Sequence, residues 1–199
     1  MTNKNQNNLA YNFTDIMNKN LEETELRCGE DFDTEPDDHT LGFRYFNPNP
    51  RGSITGDCVK RAIVVATGKD YHELELFMNR NKIDKKRPYN FKENFEHSIE
   101  LLGGVKISMA VPAGSRRWHV NSINKIMSDY PHINYCMRVS KHLIGVRDQF
   151  IFDLFDDRIR DKGIYNLFIF GATPEEVAEI QARCAQGDGK VNTTRRFYL

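Results

Sequence analysis

Four apolar runs crowd into residues 133–170: "INYCMRVS", "HLIGVRD", "QFIFDLF" and "IYNLFIF". Each has strand length, is rich in β-branched and aromatic residues, and is bounded by polar or charged residues. This part of the chain therefore predicts a mostly antiparallel sheet, because successive short strands with brief connections pair with one another. The segment before it follows a helical period. In "TGDCVKRAIVVATG" (residues 55–68), Cys58, Ala62 and Ala66 share one face, with Val59 and Ile63 beside them. Asp57 is placed as N-cap, its carboxylate expected to accept a backbone N–H, and Thr67-Gly68 ends the helix. Asp70 and Glu73 have capping-box spacing for a second helix carrying Leu74, Phe77 and Met78. A third surrounds Phe95, Ile99 and Leu102. Val120, Ile123, Ile126 and Met127 have the spacing of another, and Thr173-Pro174-Glu175-Glu176 starts the last. "FRYF" and "VKISMAV" read as strands, and "NPNPRGSITG" as a loop. The expected order is N-terminal helices, then a mostly antiparallel sheet, then a C-terminal helix: an α+β layout.

Composition narrows the functional classes. The 199 residues carry equal numbers of basic and acidic side chains, 28 of each, which disfavours general nucleic-acid binding. The basic stretches "KIDKKRPYNFK" and "SRRW" keep only a weak version of that reading. No apolar run approaches the roughly 20 residues of a membrane span, and "MTNKNQNNLAYNF" lacks the apolar stretch of a signal peptide. Residues 1–40 begin Asn-rich and continue with an acidic run from Glu22 to Asp38. They are expected to form a partly disordered, solvated arm, or a docking segment for a basic partner, ahead of a folded domain at 41–199. The four cysteines, Cys28, Cys58, Cys136 and Cys184, show no C-x-x-C spacing and are expected as free thiols in a reducing compartment. No His/Cys spacing supports a zinc site, and no cofactor motif is present.

Cys58 opens a helix, where the positive end of the macrodipole favours a thiolate. A nucleophile also needs a base, and the base an orienting group. If Asp148-Gln149 is a two-residue hairpin turn, His142 lies opposite Phe155 and Ile144 opposite Asp153. His142 and Asp153 are then diagonal neighbours on one face, roughly 7–8 Å apart at the backbone. A carboxylate there can fix one ring nitrogen and leave the other for a thiol. A three-residue turn would put the two side chains on opposite faces. The plain alternatives are a structural histidine and a cysteine that fills core. Asp153, set between Phe152 and Leu154, nevertheless requires a partner. His72 and His97 read as solvated helical positions, His39 as part of the acidic arm and His132 as a turn residue. His119, in "GSRRWH", reads as part of a turn anchored by Trp118, with a cleft-lining role as the alternative.

Together, "FNPNPRGSITGDCVKRAIVVATGKDYHEL" and "INKIMSDYPHINYCMRVSKHLIGVRDQFIFD" resemble small papain-like cysteine-peptidase-type proteins of bacteriophages and bacteria. The shared features are a Gly-Asp-Cys-x-x-Arg-Ala helix start, an Ala-Thr-Gly-x-x-Tyr that follows it, a Lys-His-Leu-x-x-Val strand and a later Asp, over about residues 43–157. The resemblance implies a papain-like domain with Cys58 as nucleophile, His142 as base and Asp153 as orienter. It implies a thiol-dependent hydrolase, a peptidase or isopeptidase/amidase working through an acyl-enzyme on a protein or peptide substrate. It also implies a phage protein of the host cytoplasm, or else of the virion. The alternative is a catalytically inactive papain-like structural or host-interaction protein, with the arm, the 79–92 loop and Phe197-Tyr198-Leu199 as docking segments. The chain departs from papain's C-G-[SA]-C-[WY] signature, and its Cys-to-His gap is shorter. It also has no Gln between Arg44 and Cys58 to serve as oxyanion donor; the Cys58 N–H and the Thr55 hydroxyl are the expected substitutes.

Overall fold

A computed structural model describes residues 34–37, 40–54, 56–113, 116–154 and 159–187. Most of the acidic arm, Cys28, His39, Thr55, Phe155 and the C-terminal Phe197-Tyr198-Leu199 lie outside the described residues. The elements run β1 (Gly42–Tyr45), α1 (Cys58–Thr67), α2 (Tyr71–Arg80), α3 (Lys92–Leu101), β2 (Val105–Ser108), α4 (Asn124–Met127), β3 (Asn134–Val139), β4 (His142–Arg147), β5 (Phe150–Asp153), β6 (Asn166–Phe170) and α5 (Pro174–Ala185). The six strands form one mixed sheet in the order β1-β5-β4-β3-β6-β2. The fold is α+β, with five helices among the described residues.

The expectation of helices followed by a sheet needs correction. β1 precedes the helices and pairs parallel to β5, and β2 returns to the far edge against β6. The other pairings are antiparallel. A parallel pairing between segments about a hundred residues apart leaves no local pattern, so only the antiparallel part was readable.

Alternation along the strands divides the core. One face of the sheet presents Cys136, Leu143, Phe152 and Phe168 to α1, α2 and α3, where Ile63, Leu74, Met78 and Ile99 are buried. The other presents Met137, Ile144, Ile151, Leu167 and Ile169 to α4 and α5, covered by Ile126, Met127 and Ile180. The sheet is therefore clad on both faces, and its central strands send apolar side chains to both of them.

α1 lies close against β4. A Cβ placed on Gly145 of β4 would lie 2.7 Å from Val65 Cβ and 3.0 Å from the Ala62 carbonyl oxygen. No residue but glycine lets helix and strand touch there. Cys136 on the next strand donates its S–H to the same Ala62 carbonyl at 3.3 Å. β4 and β5 are joined by the expected two-residue turn. Asp148 (φ 50°) and Gln149 (φ 64°) are both left-handed, as a type I′ turn requires, although neither is glycine.

Two local expectations change. Asp57 does stand at the N-cap of α1, but its side chain makes no capping bond. The helix expected from Val120 to Met127 shortens to Asn124–Met127. The reason is competition: the N–H groups of Val120 and Asn121 bond the carbonyls of Lys162 and Arg160, and His119 bridges Gly163, so the first turn is drawn into extended pairing. The capping of α2 by Asp70 and the full capping box of Thr173 and Glu176 on α5 form as expected.

Two substitutions test this frame by urea unfolding. Gly145→Ala overpacks the α1–β4 contact and is expected to cost about 1–3 kcal/mol. Gln149→Gly relieves a left-handed residue and is expected to raise stability by about 1 kcal/mol.

Candidate active site

Cys58 is the first residue of α1, His142 the first of β4 and Asp153 the last of β5. The α1–β4 contact and the β4–β5 hairpin bring these three termini to one end of the sheet. The register, Gly145 opposite Phe152 and Arg147 opposite Phe150, makes Asp153 the diagonal neighbour of His142. The two side chains meet: His142 Nε2 is hydrogen-bonded to Asp153 Oδ2. That leaves Nδ1 for the thiol: Cys58 and His142 line the same cavity, close enough that each shifts the other's pKa. The Leu143 N–H also favours the charged form of the Cys58 sulfur. The structure thus brings Cys58, His142 and Asp153 into one chain of contacts.

Asp153 is 2% exposed, and its surroundings explain how a carboxylate is tolerated in an apolar run. Its Oδ1 accepts the Leu154 N–H at 2.7 Å and lies 3.7 Å from Arg61 Nη2. The Phe46 N–H donates to its backbone carbonyl at 2.9 Å, fixing the end of β5 against the chain leaving β1. The carboxylate is therefore held on three sides, and the imidazole it contacts has a defined orientation.

A second buried carboxylate stands behind the thiol. Asp57 is 3% exposed and Arg61 4%. Asp57 Oδ1 pairs with Arg61 Nη1 one helical turn on, and its Oδ2 accepts from Asn49 Nδ2 at 2.9 Å and Tyr71 Oη at 3.0 Å. Three strong donors outcompete the backbone N–H groups for this carboxylate, which is why it does not cap α1. The N–H groups of the first turn, that of Cys58 included, are left without a side-chain cap. Burial, then the charge of Asp57 and the hydrogen bond to it, raise the Tyr71 phenol and keep it a donor. Lys60, 5% exposed, reaches Glu75 on α2 at 2.6 Å across the rings of Tyr71 and Tyr89, pinning α2 to α1.

The electrostatics single out one thiol. Burial pushes the Cys58 thiol up. The hydrogen bond and charge of His142, the Leu143 N–H and the charge of Arg61 more than offset it, so its pKa falls below the ordinary 9.0. Burial pulls the His142 imidazole down. The bonds and charges of Asp153 and Cys58 outweigh it and raise the pKa to about 9. The two shifts run in opposite directions and both favour a thiolate–imidazolium pair. Cys136 and Cys184 go the other way: burial raises both, Cys184 to about 12. A cavity of about 250 Å³ opens beside Cys58 and His142, floored by Val59, Phe95 and Leu143.

The remaining histidines have other engagements. His72 and His97 lie beside Glu75 and Glu100, His119 Nδ1 is bonded to Arg116, and His132 Nε2 contacts Glu176 at 3.1 Å. Trp118 donates its indole N–H to the Cys184 carbonyl at 3.2 Å, so this aromatic ring anchors its segment to α5. Among the described residues no group of three or more His, Cys, Asp or Glu side chains could hold a metal ion. The Thr55 hydroxyl, expected as an oxyanion donor, lies outside the described residues. Sequence reasoning missed the buried polar layer of Asn49, Asp57, Arg61 and Tyr71. Its one visible signal was the i, i+4 spacing of Asp57 and Arg61 across the cysteine.

Compared with known proteins, the chain matches no family model, no curated protein and no solved structure.

Arg61 is the cation shared by two buried carboxylates. Arg61→Met is expected to cost about 3–5 kcal/mol in urea unfolding, since it strands both charges. Adding Asp57→Asn is expected to recover part of that loss; an unchanged single variant would show that Arg61 balances neither.

Proposed function

We propose that this protein is a thiol hydrolase of papain-like type, cleaving a peptide, isopeptide or related amide bond through Cys58, His142 and Asp153. One observation carries the reading: Cys58 and Asp153 engage the same imidazole, and Asp153 takes Nε2. A carboxylate in that position holds the tautomer and the charge of the ring while Nδ1 faces the thiol. The opposite pKa shifts of Cys58 and His142 support it, because a lowered thiol and a raised imidazole favour a nucleophile beside a proton donor.

The chemistry follows from these atoms. The Cys58 thiolate attacks the carbonyl carbon, forming a C–S bond and moving an electron pair to the carbonyl oxygen. The Cys58 N–H, without a side-chain cap at the head of α1, offers a backbone donor for that oxyanion. The C–N bond breaks as the His142 imidazolium delivers its proton to the departing amine. The neutral ring then takes a proton from water, whose oxygen attacks the thioester. The C–S bond breaks, releasing a carboxylic acid and restoring the ion pair. Asp153 touches neither the substrate nor the thiol and acts as a positioning residue.

The test is iodoacetamide labelling, read by mass spectrometry at each cysteine. Cys58 is expected to label quickly at mildly acidic pH and to lose that reactivity in His142→Ala, while Cys136 and Cys184 stay protected. Slow labelling of Cys58 that is indifferent to His142 would mark it as an inert residue of a binding protein. Turnover of a denatured, fluorescently labelled protein supplies a second readout. It is expected to vanish in Cys58→Ala and to fall at least ~100-fold in His142→Ala. The pH dependence has a definite sign. Hydrolysis falls as pH rises through about 9, where His142 loses its proton, whereas labelling holds because the thiolate persists. Both fall on the acid side as the thiolate is protonated.

A further inference from the structure

The cavity beside Cys58 carries an uneven charge. Its lining includes Lys92 at the start of α3, Arg138 on β3 and Lys141 in the β3–β4 turn, and no Asp or Glu. The chain as a whole is electrically balanced, 28 basic against 28 acidic side chains, so an all-cationic wall is not a by-product of composition. Arg138 donates to the neutral Asn166 side chain at 3.1 Å, a contact that leaves its charge in place. The floor formed by Val59, Phe95 and Leu143 is apolar.

Lys141 stands closest to His142 in sequence. It is the second residue of the two-residue β3–β4 turn and sits at φ 59°, the left-handed region that glycine occupies without strain and that any residue with a Cβ enters at a cost. The chain nevertheless puts a lysine there, next to His142 and exposed at the mouth of the cavity. A residue held against its backbone preference at a site is grounds for asking what its side chain does.

We propose that this cavity binds the carboxylate of an acidic residue adjacent to the scissile bond, so that the substrate is an anionic acyl donor; this rests on Cys58 being the nucleophile. The volume, about 250 Å³, is below that of pockets for drug-sized ligands, ~300–1,000 Å³, and suits a single short side chain. The apolar floor takes an aliphatic stem, and the three cations take its charged end. Converging like charges in a walled site also raise the local concentration of an anionic reactant.

The experiment compares second-order rates of Cys58 with iodoacetate and iodoacetamide, using glutathione as the reference thiol. The iodoacetate/iodoacetamide ratio for wild-type protein is expected to exceed that of glutathione by about tenfold and to shrink with added salt. The His142 imidazolium also attracts iodoacetate, so the deciding comparison is with Lys92→Met/Lys141→Met and with Lys141→Gly. The glycine variant suits its φ and is expected to fold at least as well as wild type. The ratio is expected to drop several-fold in both. A ratio equal to that of glutathione, or one unchanged in the lysine variants, overturns the proposal. The hydrolase reading fails separately, if iodoacetamide alone reacts no faster with wild type than with His142→Ala. Competition identifies the anion: stronger slowing by N-acetylglutamate than by inorganic phosphate at matched ionic strength supports a carboxylate. The reverse order overturns that assignment.

Discussion

The contact of α1 with β4 at Gly145 places everything else. With no Cβ in the way, Ala62 and Val65 lie directly on the strand, and the Cys136 thiol secures the same turn of helix through the Ala62 carbonyl. Seated there, the head of α1 overhangs the start of β4, and Cys58 meets both the His142 side chain and the Leu143 N–H. Lifting the helix by the width of a methyl group would loosen both contacts. The chemistry of the candidate site thus depends on a residue that carries none of it.

The buried charges behind that contact impose a second constraint. Taking Asp57 and Asp153 out of water is costly unless each is paired and hydrogen-bonded. Arg61 lies between them, while Asn49, Tyr71 and the Leu154 N–H satisfy the remaining acceptor sites. The arrangement also accounts for a lowered thiol pKa beside an aspartate. Asp57 is held by Arg61, whose positive charge also favours the Cys58 thiolate. Had Asp57 capped α1 in the ordinary way, its charge would sit on the first-turn N–H groups and oppose the thiolate. Withholding the cap leaves those donors open at the site.

Much of this was legible in the sequence where periodicity and turn chemistry act locally. The β4–β5 register followed from counting residues across Asp148-Gln149, and Asp153 stood out as a carboxylate that needed a partner. The helix carrying Cys58 could be read from its apolar spacing. The losses were all tertiary. The parallel seat of β1 against β5 depends on segments far apart in the chain. The turns at 119–123 lost a helix to backbone pairing with 160–163. The side chain of Asp57 answered to Asn49, Arg61 and Tyr71, not to the helix start beside it. Lys141, with no local motif to mark it, became informative only through its φ and its place at the cavity.

If Cys58 and His142 work together as proposed, they exist as an ion pair at neutral pH. Thiolate ultraviolet absorbance followed against pH, as the difference between wild type and Cys58→Ser, measures it directly, with the His142 ring titrated by NMR on the same samples. The account predicts a thiolate that forms below the free-thiol value of about 8.5 and an imidazole that stays charged until about pH 9. A Cys58 that ionises at or above the free-thiol value, beside a His142 already neutral at pH 7, would contradict it.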